Sequence, residues 1–591
     1  DVCSSDLVQN GVAHGSGERS NAWNVDGVTT NDPVVGTQGK APSVEVLQEV
    51  AVTVGGVGAD QTSSGGAIIN AVTKSGGNEF SGSASVYYNH ESFNGDNTTG
   101  TPLEGKTSGD KFNFNPSVSL GGPIIRNKLW FFGSYSLDKS ETYVAGYPYD
   151  QGEEIASDTV RPYIYGKLTW QLSADDKVYG SYSFTDLKMN HRGASEDRVE
   201  SSTWRQKGAS HGVNVEWAHT FNNNFFGNFK FASAPSNFSL YMKNDNPELY
   251  DYGTGLWMEG SSYGYTDINL RSRYQYQADF TMFLDDFGGQ HEWKAGVSYS
   301  TTKNTRGFHL NGEESTQQAG YKPLGFYYYN GNPYAVDYYK DTDMLRACNS
   351  VFAFIQDTWS PIPRLTLTLG LRFESSRGII PAQNENSVGY FLPEFLGTAY
   401  PLQDAVPEDL TVMKWNQFAP RLGFSFDVSG DGKTVIKGSY GIYHDALLAQ
   451  YFSNANPNGF ADFWGIWDPD TLAVTRLGGF DLPEASQVGY KGKEPSAPYE
   501  QQFTVSIERE LFEDWSLTVR GIFKQRKNLL EEVDAASLDM DALMNDGTLI
   551  WKNWQQVPVT DPVTGNTLNF WEMIDPLKAS ELVIVNIPDE A

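Results

Sequence analysis

Arg364–Glu374 reads RLTLTLGLRFE. Leu365, Leu367, Leu369, Leu371 and Phe373 fall on one side of an extended chain, and Arg364, Thr366, Thr368, Arg372 and Glu374 on the other. Successive side chains of a strand point to opposite faces, so this period of two over the whole stretch predicts a β-strand with one apolar and one polar face. The same alternation recurs in YIYGKLTWQL, where Ile164, Leu168, Trp170 and Leu172 oppose Tyr165, Lys167, Thr169 and Gln171. It returns in PRLGFSFD around Leu422, Phe424 and Phe426, and in QFTVSIE around Phe503, Val505 and Ile507.

Fifteen such segments start near Phe80, Lys111, Leu129, Arg161, Val178, Trp204, Phe225, Asp267, His291, Met344, Leu365, Trp415, Thr434, Pro498 and Trp515. Most run about 10–16 residues, against a mode of about 5–6 in globular strands. Tilted membrane-crossing strands need about 9–11. The connections alternate in length. Short ones include SADDK (173–177), DDFGGQ (285–290) and SGDGK (429–433); long ones include 91–110, 236–265, 303–342, 375–414 and 446–497. Short turns at one end and long loops at the other are expected of an outer-membrane barrel, and nothing in a soluble sandwich sorts loops by parity. Trp130, Trp170, Trp217, Trp293, Trp359 and Trp515 all sit beside a short turn. They predict an aromatic ring at one membrane interface, where indole buries its apolar body and keeps its N–H wet.

Composition agrees. Aromatic residues at 14% and 59 glycines favour β structure. No run of about 18 apolar residues offers a membrane helix. The mean hydropathy of −0.45 does not count against a barrel, whose strands average out as polar. A net charge of −30 argues against a nucleic-acid partner, whose phosphates would be repelled. Cys3 and Cys348 are far apart in sequence, and no disulfide is assigned.

The segment before the first strand differs. Residues 8–78 are rich in Gly, Val and Ser and read as a small separate β unit. NVDGVTTNDP (Asn24–Pro33), SVEVLQEVAVTV (Ser43–Val54) and GADQTSSGGAIINAVTKSGGNEFSGS (Gly58–Ser83) resemble the later part of a TonB-dependent receptor plug running into its first barrel strand. QFAPRLGFSFDVSGDGKTVIKGSYGIYHD (Gln417–Asp445) and APYEQQFTVSIERELF (Ala497–Phe512) resemble the Oar-like subgroup of these receptors. The resemblance covers most of residues 20–527.

What it implies is an all-β, antiparallel up-and-down transmembrane barrel of about 22 strands with a plugged lumen, of which about fifteen strands are visible by period two. The division expected is residues 1–7 as non-native sequence (DVCSSDL), 8–78 as a partial plug, and 79–591 as a partial barrel with long extracellular loops. A sixteenth strand is expected to begin after Leu582. No TonB box, front of the plug or carboxypeptidase-regulatory-like domain is present, so truncation at both ends is expected. The plug residues carried by the resemblance are Asp26, Gly27, Gly65, Gly66, Asn70, Thr73, Lys74 and Gly76. The implied function is transport of a bulky solute (peptide, protein or glycan) across the outer membrane of a Gram-negative-type bacterium. The implied partners are the TonB–ExbB–ExbD energy-coupling system and outer-membrane lipid. The rivals are a non-transporting surface adhesin or structural barrel, and a secreted soluble β-rich carbohydrate-active protein.

Arg364, Arg372, Arg421, Lys437 and Arg520 are candidates to face the lumen, and Tyr327, Tyr328, Tyr329, Trp464 and Trp467 are candidates to meet solute in the long loops. No catalytic constellation, cofactor or metal site is expected. GTPLEGKT (Gly100–Thr107) spells a phosphate-binding loop but lacks the following helix that the chemistry requires. GASHG (Gly208–Gly212) lies inside a strand pattern, not at a strand-to-helix turn. DVSGDG (Asp427–Gly432) begins like a calcium loop but places Gly438 where the twelfth ligand, a glutamate, belongs. It reads better as a tight turn.

Overall fold

A computed structural model describes residues 16–587, with 63–64, 96–98, 102–103, 105–108, 145–155, 259–263, 286, 311–321, 340–341, 384–405, 459–461, 468–473, 482–485, 561–566 and 575–580 left aside. The wall is built from Ser81–His90, Gly109–Ile125, Leu129–Tyr143, Ala156–Gln171, Asp176–Asp186, Ala209–Asn222, Phe225–Ser233, Tyr265–Leu284, Gln290–Leu310, Thr342–Ile362, Leu365–Ile380, Leu410–Asp427, Thr434–His444, Tyr499–Phe512 and Trp515–Lys527. Each pairs antiparallel with the next in the chain. These are the fifteen segments that period two marks. The sheet order sets the first strand beside the last. Among the described residues no register joins them, and both are exposed along most of their length, so this is the seam of the wall.

Burial is inverted relative to a water-soluble protein. Leu371 is 44% and Phe503 51% exposed, while Arg421 is 1% exposed. An apolar band of this extent cannot face water at equilibrium and is the surface that lipid covers. The polar faces of the same strands point inward. RLTLTLGLRFE shows both halves, with Leu369 and Leu371 outside and Arg372 and Glu374 buried inside.

The inside is filled by a four-stranded sheet. Ala22–Val25 pairs antiparallel with Val28–Thr29 and parallel with Ala67–Thr73, which pairs antiparallel with Leu47–Val54. Asp26 and Gly27, at φ +48° and +76°, make the left-handed two-residue turn that closes such a hairpin. From this sheet the chain runs close over the wall before it becomes the first wall strand at Ser81. An added Cβ on Gly76 would lie 2.1 Å from the carbonyl oxygen of Phe131, and one on Gly122 would lie 2.3 Å from the Phe80 ring. The pair Gly121–Gly122 thus leaves room for residues 76–80 to lie against the wall.

At the short-turn end, the Trp130 indole donates to Asn78 (2.8 Å), Trp217 to Asp176 (2.9 Å) and Trp359 to the carbonyl of Gly288 (3.0 Å). Asp427 accepts the amides of Gly430 and Gly432, each at 2.9 Å, the tight turn expected of SGDG. At the long-loop end, three loops that the sequence leaves irregular share one sheet. Leu256–Trp257, Glu248–Asp251, Lys322–Tyr329, Asn332–Tyr339, Asp462–Trp467 and Val474–Asp481 pair in that order. The segment from Leu582 is not a sixteenth wall strand. Leu582–Asn586 pairs with Leu530–Asp534 and Gln487–Val488 in a separate three-stranded sheet, whose buried Val583 and Val585 pack on Leu538, Met540 and Leu543.

Candidate functional site

The plug sheet meets the wall through polar groups at four places around the lumen. The first is built on the Asp26 turn. The Asp26 carboxylate accepts the Thr73 amide (2.9 Å) and hydroxyl (2.6 Å), and Lys167 of the wall approaches it at 3.3 Å. Lys167 also donates to the Thr73 hydroxyl (2.9 Å), which bonds the Tyr165 hydroxyl at 2.8 Å. Lys230, three strands further along the wall, donates to the Asp26 carbonyl at 3.2 Å. A Cβ on Gly27 would sit 2.5 Å from that ammonium, the end of a side chain that can move aside, so the turn needs glycine for its left-handed backbone.

The second place is one strand pair further round. Arg271 holds Asp32 at 2.6 Å, with Ser236 donating to the same carboxylate oxygen at 3.0 Å. Arg273 donates to the Asn31 carbonyl at 2.8 Å. At the third, Gln356 accepts the Ala59 amide at 2.7 Å. Arg372 pairs with Glu374 and donates to the Ala59 carbonyl, and Arg421 donates to the Val57 carbonyl while lying 3.7 Å over the Tyr443 ring. At the fourth, the Gly65 carbonyl accepts from Lys524 (2.5 Å) and Ser16 (2.9 Å), and Glu500 closes the group through Lys524 (3.1 Å) and Ser16 (3.1 Å).

Of the eight plug residues singled out, Asp26, Gly27, Thr73 and Gly65 therefore lie on the wall contacts. Gly66, Asn70 and Lys74 act within the plug. Asn70 accepts from Asn24 at 2.9 Å, Lys74 donates to the Glu45 carbonyl at 2.9 Å, and a Cβ on Gly66 would meet Asn21. Gly76 lies against the wall backbone at Gly122 and Phe131. The wall partners Tyr165, Lys167, Lys230, Arg271, Gln356, Glu500 and Lys524 were not singled out by sequence. Only their position on the polar face of a strand signalled them, and many other residues share that position. Arg364 lies apart from the plug, exposed at its turn and bonded to the carbonyls of Asp427 and Val428. Lys437 and Arg520 line a space between wall and plug.

The loop sheet presents a tyrosine cluster. Tyr252 lies 5.0 Å from Tyr250, 5.5 Å from Tyr327 and 6.0 Å from Tyr334, and Tyr334 lies 6.4 Å from Tyr329. Tyr329 is exposed and Tyr327 is buried, with Tyr328 between the two. The hairpin carrying them turns at Asn330–Gly331, φ +50° and +78°. The Asn-Gly pair could have revealed it from sequence. Asp251 ties it down by accepting the amides of Gly253, Asn330 and Gly331. Trp464 and Trp467 belong to the adjoining strand, but their side chains lie outside the described residues.

One carboxyl in this sheet is out of its ordinary range. Burial pushes Glu248 up to about 8, with Asp337 adding to the rise and Arg198 opposing it. The closed sheet therefore favours the protonated acid, whereas the opened sheet releases the proton near 4.5. Between those values the opened form binds fewer protons, so the sheet loses stability as pH rises, and the loss is complete above about 8. Amide exchange at Tyr327 and Tyr328 is expected to quicken from pH 6 to 9 beyond the intrinsic base effect, and Glu248→Gln is expected to abolish that excess. An unchanged excess in the variant would contradict this assignment.

Comparison with known proteins follows the geometry. Residues 72–147 and 156–541 match the family model described as "Outer membrane beta barrel domain". The TonB-dependent transporter Oar of Myxococcus xanthus is 23% identical over 540 residues, a match covering 75% of this chain and 48% of Oar. The chain thus spans about half the length of that curated relative. Among solved structures, the outer membrane transporter YddB from Escherichia coli superposes with a TM-score of 0.63 at 11% identity, covering 95% of this chain and 65% of YddB. The siderophore receptor PirA from Acinetobacter baumannii gives 0.57 at 12%, covering 98% and 69%. At these identities the structural likeness speaks for the fold.

Proposed function

Since this chain belongs to the outer membrane beta-barrel domain family, we propose that it is the plug-bearing part of a TonB-dependent transporter. The short turns then face the periplasm, and the loop sheet faces outward. The observation that carries the reading is the chemistry of the plug contacts. Ion pairs and hydrogen bonds reach Asp26, Asp32, Ala59 and Gly65 along a polar lumen, beside small apolar contacts of Val34, Val46 and Val57 with wall side chains. Such bonds exchange with water at a net cost of about 0.5–1.5 kcal/mol each, or about 1.5–3 where a charged group takes part. A plug held by many exchangeable polar bonds and only small, separate apolar clusters is seated firmly yet can be shifted by a mechanical pull, which one continuous apolar core would resist. The pull would come from the TonB–ExbB–ExbD system, and the tyrosine cluster would meet the solute first, by stacking on a peptide, protein or glycan.

Thr73 offers the test. It is 3% exposed, and its hydroxyl joins plug to wall. In full-length protein carrying Cys348→Ser, Thr73→Cys is expected to react with a thiol reagent supplied to the periplasm at least fivefold faster in cells with ExbB than without it. Equal rates would contradict a plug that moves on energisation.

A further inference from the structure

A half-open space of about 250 Å³ lies between the plug turn Val54–Gly58 and the wall strands from Leu365–Ile380 round to Trp515–Lys527, with Arg520 and Lys437 on its exposed side. Three cations line it, Arg421, Lys437 and Arg520, and no Asp or Glu does. The chain as a whole carries 73 acidic and 43 basic residues, so a lining of one sign runs against its composition. The remaining polar surface is hydroxyl, from Thr366, Thr368, Ser425, Ser439, Thr504 and Ser506.

The strand registers explain how these groups converge. Thr366 pairs with Ser425, Ser425 with Lys437, Lys437 with Ser506 and Ser506 with Arg520, one residue per strand at a single level of the wall. Directly paired residues point to the same face of a sheet. On the plug side the cavity meets bare backbone. Gly55 and Gly56 stand at φ +73° and +67°, and a Cβ on Gly56 would come 3.2 Å from the Ser439 hydroxyl. Side chains there would fill the space.

The three cations are not equivalent. Arg421 is committed to the Val57 carbonyl and the Tyr443 ring. Lys437 pairs with Glu508 at 2.7 Å, outside the lining. Arg520 has no ion pair or hydrogen bond to any described residue. A guanidinium presents a planar fork of donors that matches a carboxylate or phosphate bidentately, and the surrounding hydroxyls can donate to the same oxyanion.

We propose that this cavity is a binding site for an oxyanionic group, carboxylate or phosphate, of the transported solute. Arg520 is its bidentate partner, Lys437 its second charge, and the hydroxyl row its supporting donors. The proposal deepens the transport reading and rests on it. Lys437 has an acidic partner here, as Lys167 and Lys524 have at the Asp26 and Glu500 contacts, so the charge left without one is that of Arg520.

Isothermal titration calorimetry on the full-length protein in detergent micelles tests it, with citrate and pyrophosphate as separate probes and spermidine as the cationic control. Saturable heat with at least one oxyanion, and none with spermidine, is expected, and the stronger probe tells carboxylate from phosphate. Arg520→Gln and Lys437→Gln are each expected to weaken binding at least tenfold. Arg520→Lys, which keeps charge and loses the fork, should fall between, and Lys303→Gln, outside the cavity, should bind as the parent. No oxyanion heat, equal affinity in Arg520→Gln, or comparable heat with spermidine would overturn the proposal. The titration needs no energised membrane, so its failure would leave the ExbB-dependent reactivity of Thr73→Cys untouched, and loss of that reactivity would leave the titration intact.

Discussion

Gly76→Ala is expected to destabilise the folded protein by about 1–3 kcal/mol, while Gly77→Ala, its neighbour, should stay within about 0.5 kcal/mol. The new methyl at 76 would lie 2.1 Å from the Phe131 carbonyl and 3.0 Å from that of Gly122. Neither oxygen can retreat cheaply. Gly122 and Phe131 are partners in one register, and Phe131 is also held by Leu168 on its other side. A Cβ at 77 meets nothing within 4 Å. The two substitutions remove the same backbone freedom from adjacent positions, so their difference isolates the close approach of Gly76 to the wall. The check is the urea midpoint of the protein refolded into micelles. Equal midpoints would show that residues 76–80 take another route.

Lys167→Met is the second large change. The Lys167 side chain is 8% exposed and that of Asp26 13%, so both charges are largely out of water. Removing one partner of a buried pair typically costs about 3–5 kcal/mol, because the other charge is left behind. Here the Thr73 amide and hydroxyl still serve Asp26, so a cost of about 3 kcal/mol is expected, at the low end of that range. Adding Asp26→Asn should recover part of it, since the stranded charge is gone and the two sites share a network. Limited proteolysis is the readout. Faster cleavage within residues 22–73 of Lys167→Met, slowed again in the double variant, is the expected order. Parent-like cleavage in the single variant would mean that this contact does not seat the plug.

The wall was legible in the sequence because each strand carries its own evidence. In RLTLTLGLRFE the lipid selects one face and the lumen the other, and eleven residues suffice to show it. The short-turn end was legible too, through SGDG and the tryptophans, because both signals are local. The loop sheet was not. Glu248–Asp251 pairs in parallel with residues 325–328, and residues 336–339 pair with 462–465, joining segments from three loops with no shared period. Leu582–Asn586 misled for the opposite reason. LVIVN is a strand by propensity, but propensity does not say which sheet receives it, and it joins Leu530–Asp534. The plug contacts were half legible. A sequence resemblance can mark Asp26 and Thr73, whereas Lys167 becomes distinct from other inward lysines only when the turn is brought against it.

A chain whose Leu369 faces lipid and whose Arg372 faces a plug makes one prediction that no soluble β protein shares. Nitroxide labels placed singly from Leu365 to Phe373, in full-length protein carrying Cys348→Ser and reconstituted in bilayers, can be scanned for collision with oxygen and with a water-soluble nickel chelate. Oxygen collision is expected to peak at 365, 367, 369, 371 and 373, and to fall for both reagents at 370 and 372, where Ala59 closes on Gly370 and Arg372. A scan with no period of two, or with high nickel collision at the odd positions, would contradict a plugged membrane barrel.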